Sequence, residues 1–583
     1  MTPPASPASR WSLAFLTSLS HHGVRHVVVS PGSRSQALAL AAEALSRHPD
    51  EPLHLHVVID ERSAGFFALG LAVQTTSPVA LVCTSGSAPA HYLPALIEAK
   101  HSGIPLIAIT ADRPSELQGV GANQTTQQPG MFGPAVHDVV DLPAPEDGDT
   151  LDTQARAVAA DIVRSAGMGA AAGRSGPVQL NVAFREPLSS PLSAEDLSHH
   201  LQASTIFGAD SSGGEGEGHR VLTLKPRDGT IVVAGHLAGK EAEALAVDIG
   251  APLLAEVHSG AHFGPHLVIP YRKLLNNPPE GVSITRVITV GRPTLSREVQ
   301  ALISRDDIEQ LVWQRGEPEP ANPSGVASVA DQITVAEPAT KSQSKEWVTP
   351  WLRAARQLIE SDSAALDPPT PAVELVDSED MAERSRFAKA EMEVLRLPLT
   401  RRHIAREVWE ATWPHDALVL GSSRMIREFD TVVRGKNIPV WSNRGVSGID
   451  GNIATARGIA RAHGIEGAHG MTRLVLGDLA LLHDAGSLLL DRGEAEQSRL
   501  QVIVVRDGGG SLFDLLEAKQ TTESDAFDRV MFTPAHADLA ALAQAYGWSY
   551  RHCDNLGDLV EALADQTSPL LVDCVVPRGD TAT

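Results

Sequence analysis

The 583-residue sequence predicts an α/β protein of three domains, with parallel sheets flanked by helices. Three observations predict it. Short apolar runs recur, each followed by a turn of small residues and then a helix-like segment, which is the grammar of βαβ units. That grammar appears towards both ends of the chain and is interrupted by a middle region of different composition. The length suits about three domains of ordinary size.

In the first part, the strand His26–Val29 runs into Ser30-Pro31-Gly32-Ser33-Arg34-Ser35 and an Ala/Leu-rich helix. Val79–Cys83 runs into Thr84-Ser85-Gly86-Ser87, and 106–110 into Ala111-Asp112-Arg113-Pro114. In the last part, Ala417–Leu420 precedes Gly421-Ser422-Ser423-Arg424, 472–476 precedes Gly477-Asp478-Leu479, and 500–505 precedes Arg506-Asp507-Gly508-Gly509-Gly510. The middle region has apolar runs at 229–234 and 284–290, the second leading into Gly291-Arg292-Pro293. Its Gly/Ser/Glu-rich stretch 208–218, its Pro/Ala/Ser/Thr-rich stretch 316–344 and the acidic stretch 361–380 predict irregular, poorly ordered chain. A helix over Met381–Leu395 leads into the last domain. The boundaries fall near 190 and 397, giving units 1–190, 191–396 and 397–583.

Composition narrows the function classes. Hydrophobic residues make up 43 % and charged residues 20 %, as in soluble globular proteins. No apolar run reaches the roughly 18 residues of a membrane span, and residues 1–10 lack the apolar core of a signal peptide, so a cytoplasmic protein is expected. Cys83, Cys553 and Cys574 show no CxxC spacing, which supports neither a zinc site nor a disulfide framework. A formal charge of −23 argues against nucleic acid as a partner. An anionic substrate must then be caught by clustered arginines and not by the overall field.

Three constellations carry chemistry. Asp478 and Asp507 each follow an apolar strand, at the sheet edge where α/β folds place ligands. As hard oxygen donors they suit Mg²⁺, with the Gly509 carbonyl as a third ligand and positions left for phosphate oxygens. The glycines allow close approach of backbone to an anion. The same aspartates could instead cap a helix and open a turn. Glu61, in Asp60-Glu61-Arg62, puts a carboxylate at another strand end, where it serves either as a proton-exchanging acid or as a first-turn acid favoured by the helix dipole. Arg34, Arg113, Arg427 and Arg444 lie in or just after strand-end turns. Arginine captures carboxylates bidentately, so their convergence implies a substrate with several carboxylates. Taken singly, each also fits a solvated surface or an inter-subunit salt bridge. Asn123 and Gln124 add neutral hydrogen-bonding groups.

These residues together resemble a family. Ser30-Pro31-Gly32-Ser33-Arg34-Ser35, Asp60-Glu61-Arg62, Thr84-Ser85-Gly86, Ala111-Asp112-Arg113-Pro114 and Gly121-Ala122-Asn123-Gln124 carry the match in the first part. Ser442-Asn443-Arg444-Gly445-Val446-Ser447-Gly448-Ile449-Asp450-Gly451, Gly477-Asp478-Leu479 and Gly509-Gly510 with Leu512-Phe513 carry it in the last. The chain resembles the thiamine diphosphate-dependent 2-succinyl-5-enolpyruvyl-6-hydroxy-3-cyclohexene-1-carboxylate synthases of menaquinone biosynthesis. The middle region matches only weakly, chiefly at 291–297.

The resemblance implies a thiamine diphosphate-binding fold of three α/β domains: a pyrimidine-binding domain, a middle domain and a diphosphate-binding domain. It implies thiamine diphosphate with Mg²⁺, Mn²⁺ being the alternative ion, held between subunits of a homodimer. It also implies decarboxylation of 2-oxoglutarate and 1,4-addition of the four-carbon unit to isochorismate. On that pattern Glu61 activates the cofactor, and Arg427 and Arg444 hold the part derived from 2-oxoglutarate. Ser33, Arg34, Arg113, Asn123 and Gln124 face the substrates, with Ser423 and Arg297 as further candidates. Leu512, Phe513 and Leu516 give an apolar wall, Ile449 wedges the cofactor, and Gly477, Asp478, Leu479, Gly509 and Gly510 surround its diphosphate. Where the commoner thiamine motif ends in Asn-Asn, this chain has Arg506-Asp507, which adds a negative charge that tightens Mg²⁺ and repels the diphosphate. Two other readings are another thiamine-dependent 2-oxo acid decarboxylase or carboligase and a non-catalytic thiamine diphosphate-binding protein. Arg34 and Arg444 count against the first, and Glu61 against the second.

Overall fold

The computed structural model describes residues 5–167, 175–204, 220–315, 319–366, 371–491 and 498–579. The stretch 208–218, expected to be an irregular loop, lies outside them.

The first sheet is wholly parallel and comprises β1 (His26–Val29), β2 (His54–Val57), β3 (Val79–Cys83), β4 (Leu106–Asp112), β5 (Val139–Leu142) and β6 (Val178–Ala183), in the order β2-β1-β3-β4-β6-β5. Strands β1, β3, β4 and β6 are buried along their whole length, while the edge strands β2 and β5 are only partly covered. That burial explains the unbroken apolar runs, since helices cover both faces of a parallel sheet.

The middle region builds β7 (Val221–Leu224), β8 (Thr230–Ala234), β9 (Leu253–Ala255), β10 (Arg286–Val290), β11 (Glu309–Trp313), β12 (Ser328–Ala330) and β13 (Gln332–Val335). Five of them form a sheet in the order β12-β11-β10-β8-β9, and β13 pairs with β7. The expectation of irregular chain over 316–344 is therefore corrected: β12 and β13 lie within it, and the helix Lys341–Leu366 begins there. That helix also enters the stretch 361–380. Its Trp347 indole N–H donates to the Thr230 carbonyl at 2.7 Å, and Trp351 is fully buried. Within 316–344, Ala330 and Ile333 are buried and the edges of β11 and β7 pair with β12 and β13, which orders a segment whose composition reads as linker. The helix Met381–Leu395 forms as expected, with no side chain fully buried.

The last sheet comprises β14 (Ala417–Leu420), β15 (Val440–Trp441), β16 (Thr472–Gly477), β17 (Leu500–Arg506), β18 (Ser549–Cys553) and β19 (Leu570–Val575), in the order β15-β14-β16-β17-β19-β18. This is the topology of the first sheet repeated, again wholly parallel. No helix among the described residues is long and apolar enough to cross a membrane.

The first and last sheets are joined through two helices, Glu61–Thr75 and Asn452–Ile465. The apolar core over one face of the first sheet takes in Ala454 and Ala462 from the last. The helices meet backbone to backbone. A Cβ on Gly70 would come within 2.1 Å of the Thr455 carbonyl oxygen, and one on Gly458 within 2.1 Å of the Phe67 carbonyl oxygen. On an exposed helix, replacing Gly by Ala adds about 1 kcal/mol of stability. At Gly458 the sign is expected to reverse, with a net loss of about 1–3 kcal/mol from overpacking. Thermal unfolding of Gly458→Ala checks this, and an unchanged or higher midpoint would contradict the close crossing.

Candidate active site

Because β16 and β17 are adjacent and in parallel register, with Gly477 opposite Val505, the residues that follow them emerge side by side. Asp478 opens the helix Asp478–His483 and Asp507 opens the glycine turn. The Asp478 carboxylate accepts from Leu479 N at 2.8 Å and from Gly508 N at 2.9 Å. Gly508 sits at φ +85°, where a side chain is disfavoured. Gly509 passes so close to the Phe532 carbonyl that a Cβ would lie 2.5 Å from its oxygen.

The loops after β14, β16 and β17 enclose a cavity of about 130 Å³. Of the residues expected at the cofactor and its metal, Ile449, Gly477, Asp478, Leu479, Asp507, Gly509 and Gly510 line it, and of those expected at the substrates, Ser423, Leu512 and Phe513 do. Leu516 is half-buried at the end of the turn Ser511–Leu515 and does not line it. The donor set fits a cation. Burial first, and then the neighbouring Asp507 charge, pushes the Asp478 carboxyl up to about 6, a strain that a bound cation relieves. Among the described residues no three His, Cys, Asp or Glu side chains gather as a metal cluster. An ion here would complete its shell from backbone, water or phosphate oxygens, as Mg²⁺ does.

A second group of residues sits at the corresponding edge of the first sheet. Arg113 Nη1 donates to Ser85 Oγ and, at 2.5 Å, to the Gln124 carbonyl. Arg34 Nη1 donates to the Phe184 carbonyl at 2.8 Å. Burial, then the charge of Arg113, lowers the pKa of Arg34. Among the described residues neither guanidinium has a carboxylate ion pair, so both keep charge available for an anion. Gln124 holds the left-handed φ of 54° and its amide donates to the Ser85 carbonyl at 2.9 Å. Asn123 and Ser33 are exposed.

Glu61 begins the helix Glu61–Thr75, with Asp60 as its N-cap accepting from Arg62 N at 3.0 Å. Burial first, with the Glu61 charge contributing, raises the Cys83 thiol and the Tyr92 phenol, which puts the Glu61 carboxylate towards the end of β3. The helix start is tied to the last domain: Arg62 donates to the His483 carbonyl at 3.0 Å and Ser63 Oγ lies 2.8 Å from Ser487 Oγ. Glu61 does not line the cavity of its own chain.

The third group lies where the last and middle domains meet. Arg444 is buried, with Nε donating to Thr294 Oγ1 at 3.0 Å and Nη2 to the Thr294 carbonyl at 2.9 Å. Arg427 donates to the Ser423 carbonyl at 3.1 Å. Burial lowers Arg444 to about 10. Beneath them Glu256 accepts from Thr294 N and Leu295 N, each at 2.7 Å, and burial together with the Asp430 charge pushes it up to about 8. A largely protonated Glu256 leaves the arginine charges for a substrate. The Arg444 loop is clamped from two domains. Glu98 accepts from Gly445 N at 2.5 Å and Val446 N at 2.8 Å, while Arg292 donates to the carbonyls of Arg444, at 2.7 Å, and Gly445. Arg297 stands apart from this group, exposed and paired with Glu517 at 3.3 Å. Among the described residues no hydrogen bond or ion pair joins Arg34 or Arg113 to Arg427, Arg444 or the cavity.

The family model for the thiamine pyrophosphate enzyme N-terminal TPP-binding domain matches residues 11–131. A 2-succinyl-5-enolpyruvyl-6-hydroxy-3-cyclohexene-1-carboxylate synthase of Leifsonia xyli is 45 % identical over 570 residues, covering 96 % of this chain and 94 % of that one. The synthase of the same name from Clavibacter michiganensis is 45 % identical over 582 residues, covering 98 % and 97 %. The chain belongs to this synthase family. A member from Kineococcus radiotolerans is 37 % identical, covering 99 % and 97 %. The crystal structure of benzoylformate decarboxylase from Polynucleobacter necessarius aligns over 98 % of this chain and 99 % of its own, with TM-score 0.64 at 15 % identity, a likeness of fold.

Sequence alone did not mark Glu98, Glu256, Arg292 and Arg401 as the residues that hold the Arg444 loop, Thr294 and Asp507. The one signal for Glu98 was an acid set in the otherwise apolar start of the helix Leu93–His101. A raised folded-state pKa means that Glu256 binds its proton more tightly folded than unfolded. Its contribution therefore favours folding at low pH and is lost as pH rises through about 8. Glu256→Gln keeps an acceptor for both N–H groups and is expected to gain thermal stability relative to the parent between about pH 5 and pH 8.5. Melting curves that stay parallel across that range would contradict the burial argument.

Proposed function

We propose that the chain decarboxylates 2-oxoglutarate and adds the resulting four-carbon unit to isochorismate in a 1,4-addition, giving 2-succinyl-5-enolpyruvyl-6-hydroxy-3-cyclohexene-1-carboxylate and CO2 in the cytoplasm. One C–C bond breaks to release CO2, one forms to the acceptor ring, and a proton is returned to that ring. The observation that carries this reading is the acid pair Asp478 and Asp507 at adjoining strand ends of a chain belonging to the synthase family.

Residues 1–190 act as the pyrimidine-binding domain, 191–396 as the middle domain and 397–583 as the diphosphate-binding domain. Asp478, Asp507 and the Gly509 carbonyl hold Mg²⁺ or Mn²⁺, while Gly477, Leu479 and Gly510 approach the diphosphate and Ile449 supports the cofactor. Thiamine diphosphate, when bound, supplies the electron sink for decarboxylation and the nucleophilic carbon for the addition. Glu61 holds the proton exchanged with the cofactor's aminopyrimidine ring. Arg427 and Arg444 bind the carboxylates of 2-oxoglutarate, with Ser423 beside them. Ser33, Arg34, Arg113, Asn123 and Gln124 orient isochorismate. Leu512 and Phe513 exclude water from the acceptor.

A homodimer accounts for the separation of these groups within one chain. A two-fold interface brings the first-domain edge of one subunit to the last-domain edge of the other and completes two equal sites. The exposed apolar side chains support it: Val57, Ile59 and Val120 flank the first edge, and Val446, Ile449 and Leu515 the last.

The test follows isochorismate absorbance with purified protein, thiamine diphosphate and Mg²⁺. Absorbance is expected to fall only when 2-oxoglutarate is present, and EDTA is expected to abolish both turnover and cofactor retention. Loss of isochorismate without 2-oxoglutarate would overturn the reading. Glu61→Gln is expected to lose turnover by about a hundredfold or more with fold and cofactor binding kept, and unchanged turnover would remove Glu61 from its role.

A further inference from the structure

Asp507 is gripped from the protein side of the cavity. Arg401 opens the helix Arg401–Ala411, whose N-cap Thr400 accepts from His403 N at 3.1 Å. The Arg401 side chain is 2 % exposed and lines the cavity floor. Its Nη2 donates to Asp507 Oδ2 and, at 3.2 Å, to Ser511 Oγ, while Nη1 donates to the Pro577 carbonyl at 3.2 Å. Ser511 Oγ donates to the same Oδ2. One oxygen of Asp507 therefore takes two strong donors, whereas Oδ1 has the N–H of Gly509 at 3.3 Å.

Charge gives this arrangement a consequence. Two ionised aspartates formally cancel a divalent cation, leaving nothing in the first shell to attract a diphosphate. A buried guanidinium against Asp507 sets positive charge directly beside that carboxylate, where solvent screens it little. The planar guanidinium is itself anchored by Nη1 on the Pro577 carbonyl, so the donor it sets on Oδ2 has a fixed direction, which a point charge would lack.

We propose that Arg401 is a positioning residue for the metal and diphosphate: it occupies Oδ2 of Asp507 so that Oδ1 alone faces the cation, and it offsets the charge Asp507 would otherwise bring against the diphosphate. This rests on the cofactor reading above.

The test is a double-mutant cycle read by calorimetric binding of thiamine diphosphate to metal-saturated apoprotein. Arg401→Met is expected to weaken binding by about tenfold or more in the parent, but by less than about threefold in an Asp507→Asn background, because the charge it offsets is gone. Equal losses in both backgrounds would mean that Arg401 acts only as a structural anchor and would overturn the proposal, as would no loss in either. Should Arg401→Met fail to fold, Arg401→Lys decides. It keeps the charge without the planar group anchored on Pro577, so it is expected to bind thiamine diphosphate within about threefold of the parent yet to need about fivefold more Mg²⁺ for half-saturation. An unchanged Mg²⁺ requirement would overturn the proposal. If the unaltered protein binds no thiamine diphosphate with Mg²⁺, the cofactor reading itself falls, whereas parent binding with no effect at Arg401 removes only this proposal.

Discussion

The crossing of the helices Glu61–Thr75 and Asn452–Ile465 is the contact on which the arrangement of the two outer domains depends. Gly70 and Gly458 let carbonyl oxygens of each helix lie where a Cβ would otherwise stand. The apolar core of the first sheet then continues into the last. The same contact sets the Glu61 end of one helix against 483–487, the end of the helix that Asp478 begins and the turn after it. A side chain at either glycine would separate the domains and shift the acid away from that segment.

Positive charge in this acidic protein is concentrated by burial and not by abundance. Arg34 and Arg113 share one edge without a carboxylate pair. Arg427 and Arg444 share another above Glu256, whose own burial keeps it largely protonated near neutral pH. The loop that aims Arg444 is fastened through its backbone, by Glu98 on two N–H groups and Arg292 on two carbonyls. Clamps of this kind fix the loop through its backbone, while the guanidinium itself donates to Thr294 and takes no carboxylate partner among the described residues.

Legibility in the sequence followed locality. Runs such as Val79–Cys83 and Ala417–Leu420 announced buried parallel strands because both their faces are covered. Asp478 and Asp507 announced themselves because each stands at the end of such a run, and parallel register turns two strand ends into neighbours. The stretch 316–344 misled because its composition is that of a linker, while the edges of β11 and β7 supply the hydrogen bonds that make strands of it. Leu516 and Arg297 sit in the expected segments but lie outside the cavity and the arginine groups, since a turn and an ion pair with Glu517 direct them elsewhere.

The sequence by itself determined the α/β class, the two strand–turn–helix domains, the acids and arginines at strand ends, and the family. All of these are written in short-range pattern. Tertiary structure alone decided that Arg401 grips Asp507 across 106 positions, that Glu98 reaches a loop 347 positions away, and that the two arginine groups stay apart within one chain. Such pairings depend on how whole domains dock. Docking is set by the shape of helix faces and by the absence of two side chains, which no local spacing records.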